Sequence, residues 1–285
     1  LAGGDDGMDF VRQLFAAVTP SPDHGAISLG IGEPRHATPE FIKSALTAAL
    51  GNGLAAYPAT AGEPVLREAC AGWLHRRYGV EVNAATQLLP VNGSREALFA
   101  LAQTVIDPTR SGATVVHPNP FYQIYEGAAF LSGAQPYYAP SDPTRNFAVD
   151  WDSVPDAVWA RTQLLYVCSP GNPTGAVMPM AEWRRLFELC DRHGFVIASD
   201  ECYSEIWFRD KPPLGGLEAA AQLGRTDFRN LIVLTSLSKR INVPGLRSGF
   251  VAGDAALIKP FLLYRTYHGS AMSPVVQAAS IAAWN

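Results

Sequence analysis

Cysteine is scarce in this chain, and its four thiols (Cys70, Cys168, Cys190 and Cys202) show no Cys-x-x-Cys spacing. The lack of that spacing argues against the common zinc modules, and reduced, mostly buried thiols are the expectation. Histidine is as thin: six dispersed residues form no His-Glu-x-x-His pair, so no metal centre is expected. His117, just before Pro118-Asn119-Pro120, reads as a structural residue near a strand end. Basic charge is not in excess either, with 22 Lys and Arg against 26 Asp and Glu and a net charge of −4. The chain therefore carries no electrostatic footprint for nucleic acid. The pairs Arg76-Arg77 and Arg184-Arg185 read as solvated helix faces. No apolar run approaches the roughly 20 residues that a membrane span needs. The first residues carry Asp5, Asp6 and Asp9 rather than a basic patch and an apolar segment, so a cytoplasmic setting is expected. Internal repeats and low-complexity tracts are missing too. Gly30-Ile31-Gly32 has no helix opening behind it and makes no dinucleotide fingerprint.

What is present suits a large buried core: 285 residues, 48% of them hydrophobic. Residues 1–37 are rich in Gly and Pro, with one amphipathic piece at 8–18, and read as an N-terminal arm. Residues 38–285 read as one large domain. Thr38 as cap and Pro39 in the first turn predict a helix with Phe41, Ile42, Ala45, Leu46 and Ala49 on one face, stopped by Gly51-Asn52-Gly53. A second helix is predicted over 63–78. Strand and helix patterns then alternate: strands at 88–91, 113–116, 164–167, 195–199, 231–234 and 249–251, helices at 95–106, 122–131, 180–193 and from Pro274. Strands this apolar, separated by helices, predict an α/β fold in three αβα layers, its mostly parallel sheet covered on both faces.

Three motifs fall at the C-terminal ends of predicted strands, the edge where open α/β sheets bind ligands. The most informative runs Ser236-Leu237-Ser238-Lys239-Arg240-Ile241-Asn242-Val243-Pro244-Gly245-Leu246-Arg247-Ser248-Gly249. A lysine amine can form a Schiff base with a carbonyl cofactor, and a nearby positive charge lowers its pKa. Arginine and serine hydroxyls at the same place suit a phosphate. An aldehyde and a phosphate on one small ligand describe pyridoxal 5'-phosphate (PLP). Upstream, Asn172-Pro173-Thr174-Gly175 follows one apolar run, and Asp200-Glu201-Cys202-Tyr203 ends another. Singly, each has a plainer reading: a basic surface loop, a turn, a capping carboxylate. Together and in this order they are hard to produce by accident.

With these motifs the chain resembles the class I/II aminotransferases of the fold-type I PLP enzymes over nearly its whole length. The segments Ser28-Leu29-Gly30-Ile31-Gly32-Glu33-Pro34-Arg35-His36 and Leu263-Tyr264-Arg265-Thr266-Tyr267-His268-Gly269 make it most similar to the succinyldiaminopimelate aminotransferase group, hence to lysine biosynthesis. The resemblance implies that Lys239 anchors PLP and then carries a proton as general acid and base. Asp200 would face the pyridine nitrogen, and Tyr203 with Asn172 the phenolic oxygen. The phosphate would lie against Gly93, Ser94 and Arg95 at a helix start, with side chains from Ser236, Ser238 and Arg247; for Ser94 a plain N-cap is the alternative. Tyr122 would place its ring on the cofactor face. Gly32 and Asn172 would meet the substrate, and Tyr57 would reach the phosphate of a neighbouring subunit, which implies a homodimer with shared sites. Arg35 or Arg265 would meet a distal carboxylate of the substrate.

The resemblance also implies a departure. Family members bind the substrate α-carboxylate with an arginine of a C-terminal small domain, and no residue of this chain is expected to take that part. The leading expectation is transfer of an amino group between an amino acid, glutamate foremost, and a 2-oxo acid. A PLP-dependent C–S lyase of the same fold and a PLP-binding scaffold without turnover are the alternatives. A PLP-sensing regulator is disfavoured, because the N-terminus is too short and not basic enough for a DNA-binding domain.

Overall fold

Residues 13–19, 21–25, 27, 32–269 and 271–285 are described by the computed structural model. They divide into two units, 1–35 and 36–285. In the first unit residues 13–15 are helical, while residues 8–12 of the expected amphipathic piece and Ser28, Leu29, Gly30 and Ile31 lie outside the described residues.

In the second unit eight strands form one sheet: β1 (Leu88–Val91), β2 (Thr114–Asn119), β3 (Gln135–Asp142), β4 (Ala148–Val149), β5 (Thr162–Cys168), β6 (Val196–Asp200), β7 (Leu231–Ser236) and β8 (Gly249–Gly253). Their order is β1-β8-β7-β6-β5-β2-β3-β4. Neighbours from β7 through β3 are parallel; β8 is antiparallel to β7 and β1, and β4 to β3. The helices are α1 (Glu40–Ala49), α2 (Pro64–Tyr78), α3 (Ser94–Val105), α4 (Ile124–Leu131), α5 (Asp156–Trp159), α6 (Met180–His193), α7 (Gly216–Gln222), α8 (Leu237–Arg240), α9 (Ala255–His268) and α10 (Pro274–Trp284).

Two cores flank the sheet because strand side chains alternate. Leu165, Val167, Ile197, Val233 and Phe250 face one core, filled by Ile42 of α1, Leu66 of α2, Trp183 of α6, Leu217 of α7 and Trp284 of α10. Leu164, Tyr166, Ala198, Ile232 and Val251 face the other, filled by Leu98 of α3, Tyr125 of α4 and Phe261 of α9. The three-layer, mostly parallel α/β expectation is what forms. No helix among the described residues is long and apolar enough to cross a membrane.

Several local expectations are corrected. Thr38 does not cap α1: Pro39 holds the cap position, and Thr38 Oγ1 donates to Asn242 O at 3.5 Å. Phe41 is half exposed while Ile42 is buried, so the apolar face of α1 is narrower than its pattern. Arg77 is not solvated: its side chain is 12% exposed and ion-paired to Glu205 at 2.8 Å. α4 begins at Ile124, leaving Tyr122 in the connection before it. Strands β3 and β4 and helix α9 had no counterpart in the sequence reading. Pro136 and Pro140 in β3 remove ladder donors, and Pro260 lies inside α9, so β3 and α9 each break a rule that a local reading relies on.

Glu201, one residue past β6, turns away from Asp200 into the first core. Its Oε1 accepts from Ser199 Oγ at 2.9 Å and Gly216 N–H at 2.7 Å, and its Oε2 from Tyr78 Oη at 3.3 Å. Burial pushes its carboxyl up to about 7 in spite of these donors. The folded protein therefore holds this proton more tightly than the unfolded chain, whose ordinary value is 4.5. Stability from this group is full below about 4.5 and is lost as pH rises toward 7, then stays level. Glu201→Gln keeps the shape and the acceptor. Urea unfolding across pH 4–8 is expected to show a shallower decline for the variant, with a gain of roughly 3 kcal/mol at pH 8; an unchanged slope would assign the decline to other groups.

Candidate active site

The parallel strands bring their C-terminal ends to one edge of the sheet. The chain leaves β2 toward β3 on one side and reaches β5 on the other, so the β2–β5 junction is a switch point, where α/β sheets open a crevice. Tyr122 follows β2, Asn172 follows β5, Asp200 ends β6 and Lys239 follows β7. Because β8 is antiparallel and begins at Gly249 opposite Ser236, Arg247 and Ser248 arrive at the same edge. β1 ends there too and hands Asn92-Gly93-Ser94 to α3. Residues spread over more than half the chain thus converge by topology.

Asp200 forms the floor and is 5% exposed. Its Oδ2 accepts from Tyr125 Oη at 2.9 Å and its Oδ1 from Cys202 N–H at 3.3 Å. Burial raises its pKa, and the groups that oppose the rise are the Cys202 thiol and N–H and the Tyr125 phenol, none of them a cation. A protonated ring nitrogen would supply the positive partner that a buried carboxylate wants. Tyr125, which the sequence reading passed over, is itself fully packed against Tyr166, rings 4.7 Å apart and 15° from parallel. Its place one helical turn beyond Tyr122 was the available signal. Tyr203 is half-buried, and burial first, then Cys202 and Asp200, push its phenol up to about 12. It is a proton donor at neutral pH.

The rim is cationic. Gly93, the cap residue of α3, has φ +86°, a conformation that side chains resist. A Cβ built there would lie 2.5 Å from Arg247 Nη2, so the absence of a side chain is what lets the guanidinium close over the loop. Arg247 is held at φ 54°, and its Nη1 donates to Pro244 O at 3.0 Å. Ser94 is the first helical residue rather than the cap, and its Oγ lies 2.8 Å from Cys202 Sγ, tying rim to floor. Arg95 Nε donates to Tyr122 Oη at 2.7 Å, and the tyrosine ring stands edge-on to Tyr125. On the other side Ser236 caps α8: its Oγ accepts from Ser238 N–H at 3.1 Å and donates to Ser238 Oγ at 2.9 Å. Lys239, half-buried, lies in that short helix.

A cavity of about 210 Å³ borders the site at Tyr125, Cys168 and Asn172 and is also lined by Phe147, Trp151 and Met178. Tyr57 is fully exposed. Gly32 belongs to the N-terminal unit. Arg265 is not available to a substrate carboxylate: it is 0% exposed, and its Nη1 pairs with Glu96 Oε1 at 2.5 Å.

Donors at a helix start, a guanidinium over a glycine, and a buried carboxylate on the floor suit one anionic and one cationic group, and Lys239 follows β7 at the same edge. PLP, which carries a phosphate and a basic ring nitrogen, fits that polarity.

Comparison with known proteins agrees. Residues 25–285 match the family model for aminotransferase class I and II. The chain is 34% identical over 262 residues to an LL-diaminopimelate aminotransferase of Dehalococcoides mccartyi, an alignment covering 91% of this chain and 65% of that protein. It is 36% identical over 268 residues to the 4-dedimethylamino-4-oxo-anhydrotetracycline transaminase OxyQ of Streptomyces rimosus, covering 92% and 67% respectively. A crystal structure of an aminotransferase from Neisseria meningitidis superposes with a TM-score of 0.94 at 53% identity, over 100% of this chain and 72% of that one. The chain thus spans just under two thirds of the length of the diaminopimelate relative.

The Gly93–Arg247 approach can be tested directly. Gly93→Ala is expected to displace the guanidinium, weaken binding of PLP and of inorganic phosphate at least tenfold, and cost about 1–3 kcal/mol in urea unfolding. Binding read by tryptophan fluorescence that stays at the wild-type level would show that this loop holds no anion.

Proposed function

The chain belongs to the class I and II aminotransferase family, and on that premise we propose that it binds PLP at this strand edge and moves an amino group between an amino acid and a 2-oxo acid. The convergence of Lys239, Asp200 and the Gly93–Arg247 cradle at one edge carries the reading. Bound there, PLP supplies an electron sink for negative charge at the substrate α-carbon.

The remaining work falls to the chain's own residues. Ser94, Arg95, Ser236, Ser238 and Arg247, with the first N–H groups of α3, hold the phosphate. Asp200 holds the proton on the pyridine nitrogen. Tyr203 donates to the phenolic oxygen, Asn172 adds a second donor there and meets the substrate carboxylate, and Tyr122 covers the ring face. Lys239 Nζ would anchor the cofactor, and as a free amine it would serve as the general base and acid for the proton on the substrate α-carbon. The full exposure of Tyr57 supports a role toward the phosphate of a second copy, and so a homodimer with shared sites. Gly32 is proposed to approach the substrate through its backbone.

Glutamate and 2-oxoglutarate are the proposed amino donor pair. The diaminopimelate relative supports a diamino dicarboxylate as partner substrate, and with it lysine biosynthesis; a cytoplasmic setting is part of the same proposal. The succinylated form has no such support, and a tetracycline-pathway transaminase of similar identity shows that substrates diverge at this distance. With Arg265 committed to Glu96, a distal carboxylate needs another partner.

Titration of the protein with PLP is expected to produce a saturable visible absorbance band that glutamate bleaches. Lys239→Ala is expected to lose the band while keeping its fold by circular dichroism. A band of equal intensity in the variant would sink the assignment of Lys239, and a wild-type band that no amino acid bleaches would point to a cofactor site without transamination.

A further inference from the structure

The α3 helix, whose first turn faces the proposed phosphate, carries a carboxylate where an anion site should least tolerate one. Glu96 lies in that first turn. A free negative charge there would oppose an incoming dianion and offset the positive end of the helix dipole. The fold answers with a cation from a distant segment. Arg265, on α9, is completely buried and places Nη1 2.5 Å from Glu96 Oε1. The same oxygen accepts from Asn92 N–H at 2.9 Å, so the ion pair grips the backbone immediately before Gly93.

An ion pair of this kind, its arginine fully buried and its glutamate side chain 23% exposed, is a poor source of stability, since desolvation of the guanidinium takes back much of its Coulomb energy. Its value lies in geometry and in charge. The carboxylate fixes the turn that gives Gly93 its positive φ and brings the loop under Arg247. The guanidinium cancels the charge that fixing requires. We propose that Arg265 and Glu96 are positioning residues for the phosphate cradle: Glu96 clamps Asn92, and Arg265 keeps that clamp electrically neutral toward the bound anion. Neither residue touches the reacting atoms. The inference rests on the reading of this edge as a PLP site.

The test separates phosphate recognition from general integrity by comparing PLP with pyridoxal, which lacks the phosphate. Tryptophan fluorescence gives both affinities for the wild type, Arg265→Met, and Arg265→Met combined with Glu96→Gln. The single variant is expected to lose roughly tenfold in PLP affinity with pyridoxal changed less than about twofold, because an uncompensated charge acts on the phosphate alone. The double variant removes the charge, keeps an acceptor for Asn92, and is expected to recover most of the loss. Equal losses for PLP and pyridoxal, or a double variant as weak as the single, would overturn the proposal. Should Arg265→Met alone fail to fold, the two double variants that leave no charge unpaired, Arg265→Met with Glu96→Gln and Arg265→Met with Glu96→Ala, are compared with each other. There the Ala form lacks the clamp and is expected to bind PLP several-fold more weakly at equal pyridoxal affinity; identical PLP-to-pyridoxal ratios would refute the clamp. A wild type that binds neither compound would instead refute the PLP reading itself.

Discussion

Parallel pairing of β2, β5, β6 and β7 is the constraint on which everything else hangs. A parallel ladder aligns the ends of its strands, so whatever follows each strand is delivered to one edge. Helices must then return across both faces, which buries the strands on each side and accounts for their unbroken apolar runs. The antiparallel β8 extends the same logic, since its beginning rather than its end meets that edge and brings Arg247 with it. The candidate site's edge is thus a by-product of covering a sheet.

Electrostatics grades the site from floor to rim. Asp200 is buried among a phenol, a thiol and an amide, whereas Arg95 and Arg247 are exposed. Charge that is hidden needs a partner, and charge at the surface can wait for one. This asymmetry suits a ligand with one anionic and one basic end. The neighbouring Glu201 shows how strictly strand alternation sorts roles. One residue from Asp200, it points into the opposite core and serves structure through Ser199, Gly216 and Tyr78.

Much of this was legible before the fold was known. The apolar runs at 88–91, 164–167 and 231–234 became strands, and 180–193 became a helix with the expected bounds, because periodicity and capping are local properties. Legibility failed where local rules were broken. Prolines disguised β3 and α9, and Thr38 offered a capping side chain that the structure spends elsewhere. Arg265 read as a partner for a distal substrate carboxylate because a helix face cannot be oriented without knowing what packs on it. Its partner Glu96 is 169 residues away in sequence.

By itself, then, the amino-acid order determined the fold class, the placement of Asn172, Asp200 and Lys239 at strand ends, and the family those motifs belong to. These follow from short-range periodicity and from motif chemistry that spans a few residues. Only the tertiary structure decided that Tyr125 holds Asp200, that Arg247 closes over Gly93, and that Arg265 neutralises Glu96. Each of those contacts joins segments that share no local pattern, and the order of strands in the sheet alone makes them neighbours.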